Sequence, residues 1–296
     1  MQIGRKVPSL IEQNYPWILI GILSVLYTPL LFHWYDGWLN KSISLEHEYF
    51  SHGLIGLPFA AYICWQDKRK KWQKLPQQTH PLGGILIAIG GIFYVTGLPD
   101  FVNLSFPIVL TGICFWLKGR PGFTLQTFPL LLVWLATPNQ IPYLIAPYTL
   151  PLQSFIAGSA GFILSHTGFN VTVEGIYLFV NQRVVEVAPH CAGLKMLLTS
   201  LYVALMLLYW TGLNESRSKT TLFVASTVLI AVVGNIIRNA LLTFFHGAGH
   251  EHLFELLHEG WGGDLYSAAM LGLLIPTLKG IDWIVDYFSF PVEDPT

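Results

Sequence analysis

An all-α, polytopic integral membrane protein is the fold class this sequence predicts, and three observations predict it. Only 11% of the 296 residues are charged while 53% are hydrophobic, against about 25% charged in a soluble domain. Apolar stretches recur from Pro16 almost to the C-terminus, most of them near the length that crosses about 30 Å of hydrocarbon. The basic residues gather in alternate connections, as the positive-inside rule requires.

About eight transmembrane helices fit, near 17–35, 50–66, 82–98, 101–117, 124–138, 191–210, 220–245 and 261–280, and the whole chain, 1–296, reads as a single integral membrane domain. The first stretch follows Arg5 and Lys6 and has no small-residue cleavage site, so it reads as a retained helix with a cytoplasmic N-terminus. Threading from there puts Arg5, Lys6, Lys68, Arg69, Lys70, Lys71, Lys74, Lys118, Arg120, Arg217, Lys219 and Lys279 inside, 12 of the 16 basic residues. The C-terminus is then cytoplasmic too, and nine of the ten histidines, all but His80, fall on the outer side.

The longest outer segment, 139–190, is broken by Pro142, Pro147 and Pro151 just after Pro138. Leu152 to Ser165 then suits a helix lying in the interface, although a crossing helix over about 144–166 is the alternative. The β-branched runs starting at Val171 and Leu178 predict a short extracytoplasmic β-hairpin that delivers the chain to Pro189, His190 and Cys191, before the sixth span. The tail from Phe290 to Thr296 reads as disordered. Nucleic acid is excluded as a partner, since the net charge is −1 and no basic patch interleaves with aromatics. Cys64, Cys114 and Cys191 form neither CxxC nor a zinc-ribbon spacing, so no disulfide framework, structural metal or cofactor is expected.

Cys191 is the best-placed nucleophile. At the outer N-terminus of the sixth span, unpaired backbone N–H groups and the helix dipole favour a thiolate, whereas Cys64 and Cys114 fall inside apolar spans. The bland alternative is a small core residue. Arg238 lies within the seventh span, where a charge costs roughly 2.5–3.5 kcal/mol. Asn235, three residues earlier, shares its helix face and can orient the guanidinium; a snorkelling anchor is the competing reading. His258, before Gly260 and Trp261 at the start of the eighth span, can act as general base and acid. It too can be inert, and Trp261 is an ordinary aromatic-belt residue. Glu186 and Lys195 flank Cys191. His246, His250, His252 and His258, interleaved with Glu251, Glu255 and Glu259, form a competing cluster, in which His246 and His250 have the i, i+4 spacing that puts two ring nitrogens on one helix face. A metal or small-solute transporter with a histidine-rich outer surface is the reading that this cluster would support.

The run Val185-Glu-Val-Ala-Pro-His-Cys-Ala-Gly-Leu194, then Asn235-Ile-Ile-Arg238, then a histidine before Gly260-Trp261, resembles the exosortase/archaeosortase family of membrane-embedded cysteine transpeptidase-like proteins. Tyr49-Phe-Ser-His-Gly53, followed by a helix and a basic loop, extends the likeness, which covers about 45–280. Within the family, Gly260-Trp-Gly-Gly-Asp-Leu-Tyr266 is most similar to the cyanobacterial branch. The resemblance implies a Cys191, Arg238 and His258 site in the plasma (inner) membrane, on the extracytoplasmic face. It also implies exported substrates with a C-terminal signal made of a short motif, a transmembrane helix and a basic tail. Two positions depart from the family: Ala192 where Ser is frequent, and His258 two residues before Gly260 where three is usual. His250 and His252 are the alternative bases.

Overall fold

A computed structural model describes residues 10–40, 49–188, 193–258 and 260–289, and they divide into two compact units between Asn139 and Gln140. Arg5, Lys6, Cys191, Glu259 and the C-terminal tail lie outside the described residues.

In the first unit, α1 (Leu10–Asn40) turns one aromatic stripe inward, with Tyr27, Trp34 and Trp38 all buried. Residues spaced by seven and four share a helix face. Then come α2 (Gly53–Ile63), a π-helical turn (Cys64–Lys68), α3 (Arg69–Lys74) and α4 (Pro81–Val95). The extra residue per turn at Cys64–Lys68 leads directly into the basic loop. At the start of α4, His80 accepts a hydrogen bond from the backbone N–H of Leu82 at 3.2 Å, and Pro81 takes the first helical position, where no N–H partner is needed.

The next element, α5 (Pro99–Ala136), is a helical hairpin. Its backbone breaks at Gly119 (φ 60°, ψ −153°), a conformation that only glycine adopts readily. Trp134 Nε1 donates to Thr111 Oγ1 at 3.2 Å, although 23 residues of unbroken helix would separate them by about 34 Å. Phe115 and Phe123 stack across the tip at 4.5 Å. There Lys118 Nζ donates to the Leu75 carbonyl at 2.6 Å, so the basic residues after α2 and those at the hairpin tip share one end of this unit.

The second unit opens with α6 (Ile141–Ile145), a 3-10 turn (Ala146–Thr149) and α7 (Leu150–His166). The antiparallel sheet that follows, β1 (Val171–Glu174), β2 (Tyr177–Val180) and β3 (Arg183–Glu186), has the order β1-β2-β3. It is larger than the expected hairpin. The run from Leu178 to Val187 folds back on itself because Asn181 and Gln182 both take positive φ (48° and 63°), the backbone of a tight two-residue turn. The chain continues as α8 (Leu194–Thr211), α9 (Arg217–Gly247), α10 (Glu251–His258), α11 (Trp261–Gly272) and α12 (Leu274–Ser289). Leu178 and Val187 are fully buried with Ile156, Ala157, Ala160, Leu164 and Ala240, which fixes the sheet against α7 and α9. A second core, Ala204, Leu208, Phe223, Leu274 and Leu278, holds α8, α9 and α12 together.

Four described segments are long and apolar enough to cross a membrane, namely Pro99–Ala136, Leu194–Thr211, Arg217–Gly247 and Trp261–Phe288. The protein is therefore a mostly helical, multi-pass membrane protein, but the expected count of eight is not established. The segment expected at 50–66 holds an α-helix of only 11 residues before the π turn. That at 82–98 holds 15 residues, about 22 Å at 1.5 Å per residue. Those at 101–117 and 124–138 are the two arms of α5.

Candidate active site

The site grows from the antiparallel packing of α8 on α9. Near the short connection between them, Leu208 and Phe223 share a core. At the other end, Gly193, the residue capping α8, lies on Asn235 of α9. A Cβ on Gly193 would come within 2.6 Å of Asn235 Cγ, and its φ of 81° is left-handed. Glycine is required there twice over, by space and by backbone conformation. Asn235 is 1% exposed, and its carbonyl accepts from Asn239 Nδ2 at 2.9 Å, one turn on.

Arg238, on the turn between these two asparagines, is half-buried. Its Nη2 donates to the carbonyls of Leu257 and His258 at 3.2 Å each. These are the last two residues of α10, whose carbonyls have no partner within their own helix and carry the negative end of its dipole. The guanidinium therefore caps α10. The glycine run after it makes this approach possible: a Cβ on Gly260 or Gly262 would come within 2.8 or 2.9 Å of the Leu256 carbonyl, and one on Gly263 within 2.6 Å of the Leu257 carbonyl. Tyr266 OH bonds the Gly234 carbonyl at 2.5 Å, tying α11 back to α9 beside Asn235. Arg238 Nε is buried and has no hydrogen-bond partner among the described residues.

Next to this cap is a cavity of about 190 Å³, lined by Val184, Val185, Glu186, Asn239, Leu242, His246, Phe254 and His258. The His258 ring stacks on Phe254 at 5.2 Å with 9° between planes. His246 Nδ1 lies 3.3 Å from Glu251 Oε2. Arg183 bonds both Glu251 and, at 3.0 Å, the His246 carbonyl. Asn181 Nδ2 donates to the Gly247 carbonyl at 3.0 Å. The β2–β3 turn is thus fastened to the corner between α9 and α10.

Of the residues expected at the site, Asn235, Arg238, His258 and Glu186 come together here: Arg238 holds the His258 backbone, while Glu186 and His258 line one cavity. Trp261 does not join them, being 68% exposed in the first turn of α11. Cys191 lies outside the described residues, and Lys195 is partly buried in the first turn of α8. The expected i, i+4 pair of His246 and His250 is not formed on one helix. α9 ends at Gly247, Gly249 takes φ 79°, and His250 falls in the turn before α10. His250 and His252 are exposed. Among the described residues no cluster of three His, Cys, Asp or Glu has metal-binding geometry.

Sequence reasoning missed Asn239 and Gly193. Asn239 carried a signal, an amide one helical turn beyond Asn235 in an otherwise apolar span. Gly193 lay inside the run that carries the family likeness, but its own importance depends on a contact with a residue 42 positions away.

No protein of curated function and no solved structure matches the chain. The family model described as transmembrane exosortase matches residues 34–275, running from α1 through both units to α12. With more than three-quarters of its length matched, and with a membrane architecture, the chain belongs to the transmembrane exosortase family, whose members act on exported proteins as membrane protein-sorting transpeptidases.

Proposed function

We propose that this exosortase is a membrane-embedded cysteine peptidase or transpeptidase that cleaves PEP-CTERM-type sorting signals through a Cys191 acyl-enzyme. The observation that carries the proposal is the Arg238 fork. A guanidinium held by two helix-end carbonyls, with Nε buried and unpartnered, is preorganised to receive negative charge. Gly193, resting on Asn235 one turn from Arg238, supports proximity to the thiol, because two peptide units span at most about 7 Å.

In this reading His258 takes the Cys191 thiol proton. The thiolate attacks the scissile carbonyl, and Arg238 donates to the resulting oxyanion. Collapse breaks the C–N bond, and His258 returns the proton to the departing amine, leaving a thioester. Water or a second amine then releases the new C-terminus. Asn235 fixes the cap, Glu186 faces the same cavity as His258, and Trp261 anchors the interface. The two units act as one functional domain, as a family match across both of them supports. We assign the chain to the plasma (inner) membrane with both termini cytoplasmic, the site extracytoplasmic, and about eight spans. The shared end of the basic loops in the first unit supports this orientation. The run from Gly260 to Tyr266 supports a cyanoexosortase B type.

The test is an exported reporter ending in a Pro-Glu-Pro motif, an apolar helix and a basic tail, co-expressed with wild type or Cys191→Ser. Loss of processing in the mutant is expected, and the mass of the new C-terminus separates hydrolysis from transfer. Equal processing by Cys191→Ser would refute the mechanism.

A further inference from the structure

The cavity beside His258 is lined by three consecutive residues of β3, Val184, Val185 and Glu186. Alternate side chains of a strand point to opposite faces, so three in a row can border one space only where that space runs along the strand's edge. Among the described residues β3 is an edge strand, paired with β2 on one side alone.

The register identifies the free backbone groups. Val180 and Arg183 flank the two-residue turn, and the pairs continue Phe179↔Val184, Leu178↔Val185 and Tyr177↔Glu186. In an antiparallel ladder bonded and non-bonded pairs alternate. The pair that closes a two-residue turn is bonded, and the Val187 N–H to Ile176 carbonyl bond at 2.9 Å keeps the same phase. Val185 and Val187 therefore bond inward to β2 and its turn, while Val184 and Glu186 direct N–H and C=O toward the free edge. Val184 is 49% exposed, and Glu186 is exposed. β1 is the other edge strand, and its Val173 side chain packs on Gly161 of α7.

We propose that β3 is the docking strand for the client: an extended segment of the substrate pairs with the backbone of Val184 and Glu186, and one of its side chains fills the cavity. This rests on the sorting-peptidase reading and adds the form in which that substrate is held. Three features commit the edge to a peptide. Its hydrogen-bonding groups match a strand. The cavity of about 190 Å³ admits one side chain and is below the 300–1,000 Å³ of typical small-molecule sites. Its wall includes His258, and five residues after Glu186 the chain reaches Cys191, so a peptide lying on β3 is led toward the reacting groups. Glu186, Asn239, His246 and His258 supply polar contacts within a wall otherwise formed by Leu242, Phe254 and the two valines, which favours a short side chain with an apolar body and a polar end.

The experiment places a photo-reactive phenylalanine at 184, at 186 or, on the far edge, at 172, in Cys191→Ser protein co-expressed with the reporter described above. Adducts to the reporter's extended motif at 184 and 186, and none at 172, are expected. In the Cys191-containing protein, Val184→Pro removes only an outward N–H, which an edge strand tolerates. It should slow processing about tenfold, the effect of one lost hydrogen bond plus a ring at the docking edge. Equal adducts at 172, adducts only to a second copy of the chain, or undiminished processing by Val184→Pro would overturn the proposal while leaving the peptidase reading intact. A reporter that crosslinks at 184 but is never cleaved would keep the docking strand and remove the peptidase. With neither crosslink nor cleavage, both fall.

Discussion

Both units bury polar side chains, but they use them differently. In the first, such groups pair off one to one: Trp34 Nε1 donates to Asn103 Oδ1 at 2.7 Å, Tyr27 OH meets Ser105 Oγ at 3.1 Å, and His52 Nε2 meets the Leu135 carbonyl at 3.0 Å. Trp38 Nε1, without a partner among the described residues, is an exception. In the second, two of them, Asn235 and Asn239, flank a cation whose Nε has no partner among the described residues, as Gln153 Nε2 and Thr243 Oγ1 have none. A satisfied pair fixes helix register and does no more. A buried donor without a partner has paid its desolvation in advance and retains its capacity to bind charge.

The sharpest way to break this contrast is Arg238→Lys. It keeps the charge but replaces a planar fork with a single ammonium, so it loses the capacity to cap α10 and still donate elsewhere. Processing of the sorting-signal reporter should fall about 10²–10³-fold, as when one oxyanion donor is removed, with the protein still inserted and folded. Activity within a few-fold of wild type would make Arg238 a helix cap and nothing further.

Next in size is Gly193→Ala. The new methyl group meets Asn235 at 2.6 Å and occupies a left-handed backbone conformation. We expect at least about a tenfold loss of processing, from a clash that displaces the residues before α8 and a left-handed conformation costing about 1–2 kcal/mol. Asn235→Ala in the same chain should recover part of it by removing the collision but not the strain. A double variant no better than Gly193→Ala would show that the contact does not position the site.

Arg238 and Asn235 were legible because a charge and an amide three residues apart in an apolar helix are costly in lipid whatever surrounds them. The sites of closest approach were not. Gly193, Gly260 and Gly263 matter only through Asn235, Leu256 and Leu257, and a single sequence does not record which backbones touch. The fold divides similarly. Apolar length and basic loops revealed a helical membrane protein. The fold-back of α5 was legible as the basic connection between the stretches at 101–117 and 124–138, whereas the π turn at Cys64–Lys68 depends on one extra residue per turn, which hydropathy does not register. The His246 and His250 expectation failed for the same reason, since Gly249 ends the helical phase between them.

A stability readout sharpens the other side of the comparison. Trp34→Phe removes the donor from the buried Trp34–Asn103 pair and leaves a carbonyl oxygen unsatisfied, at a cost of about 1–3 kcal/mol. Thermal unfolding in detergent should shift down, whereas processing per folded molecule should not change. Adding Asn103→Leu removes the stranded oxygen and should restore part of the stability. A fall in processing per folded molecule would mean that the first unit contributes to the chemistry.

The smallest effect belongs to the remaining cysteines, and it is the most discriminating of all. Cys64 Sγ donates to Gln126 Oε1 at 3.3 Å, and Cys114 is 9% exposed in the first arm of α5. Each lies among apolar helices, where a thiol behaves as a small hydrophobe, and neither has the helix N-terminus that would favour a thiolate. Cys64→Ser keeps a hydroxyl for Gln126, and Cys114→Ala removes only one small group from a packed interface. Processing should stay within about twofold of wild type for both, and a chain carrying both substitutions should react with a thiol reagent at Cys191 alone. If either one abolished processing while the protein remained folded, the nucleophile would have to be sought in the first unit. The Arg238 cap would then be serving a purpose other than the thiol chemistry assigned to it.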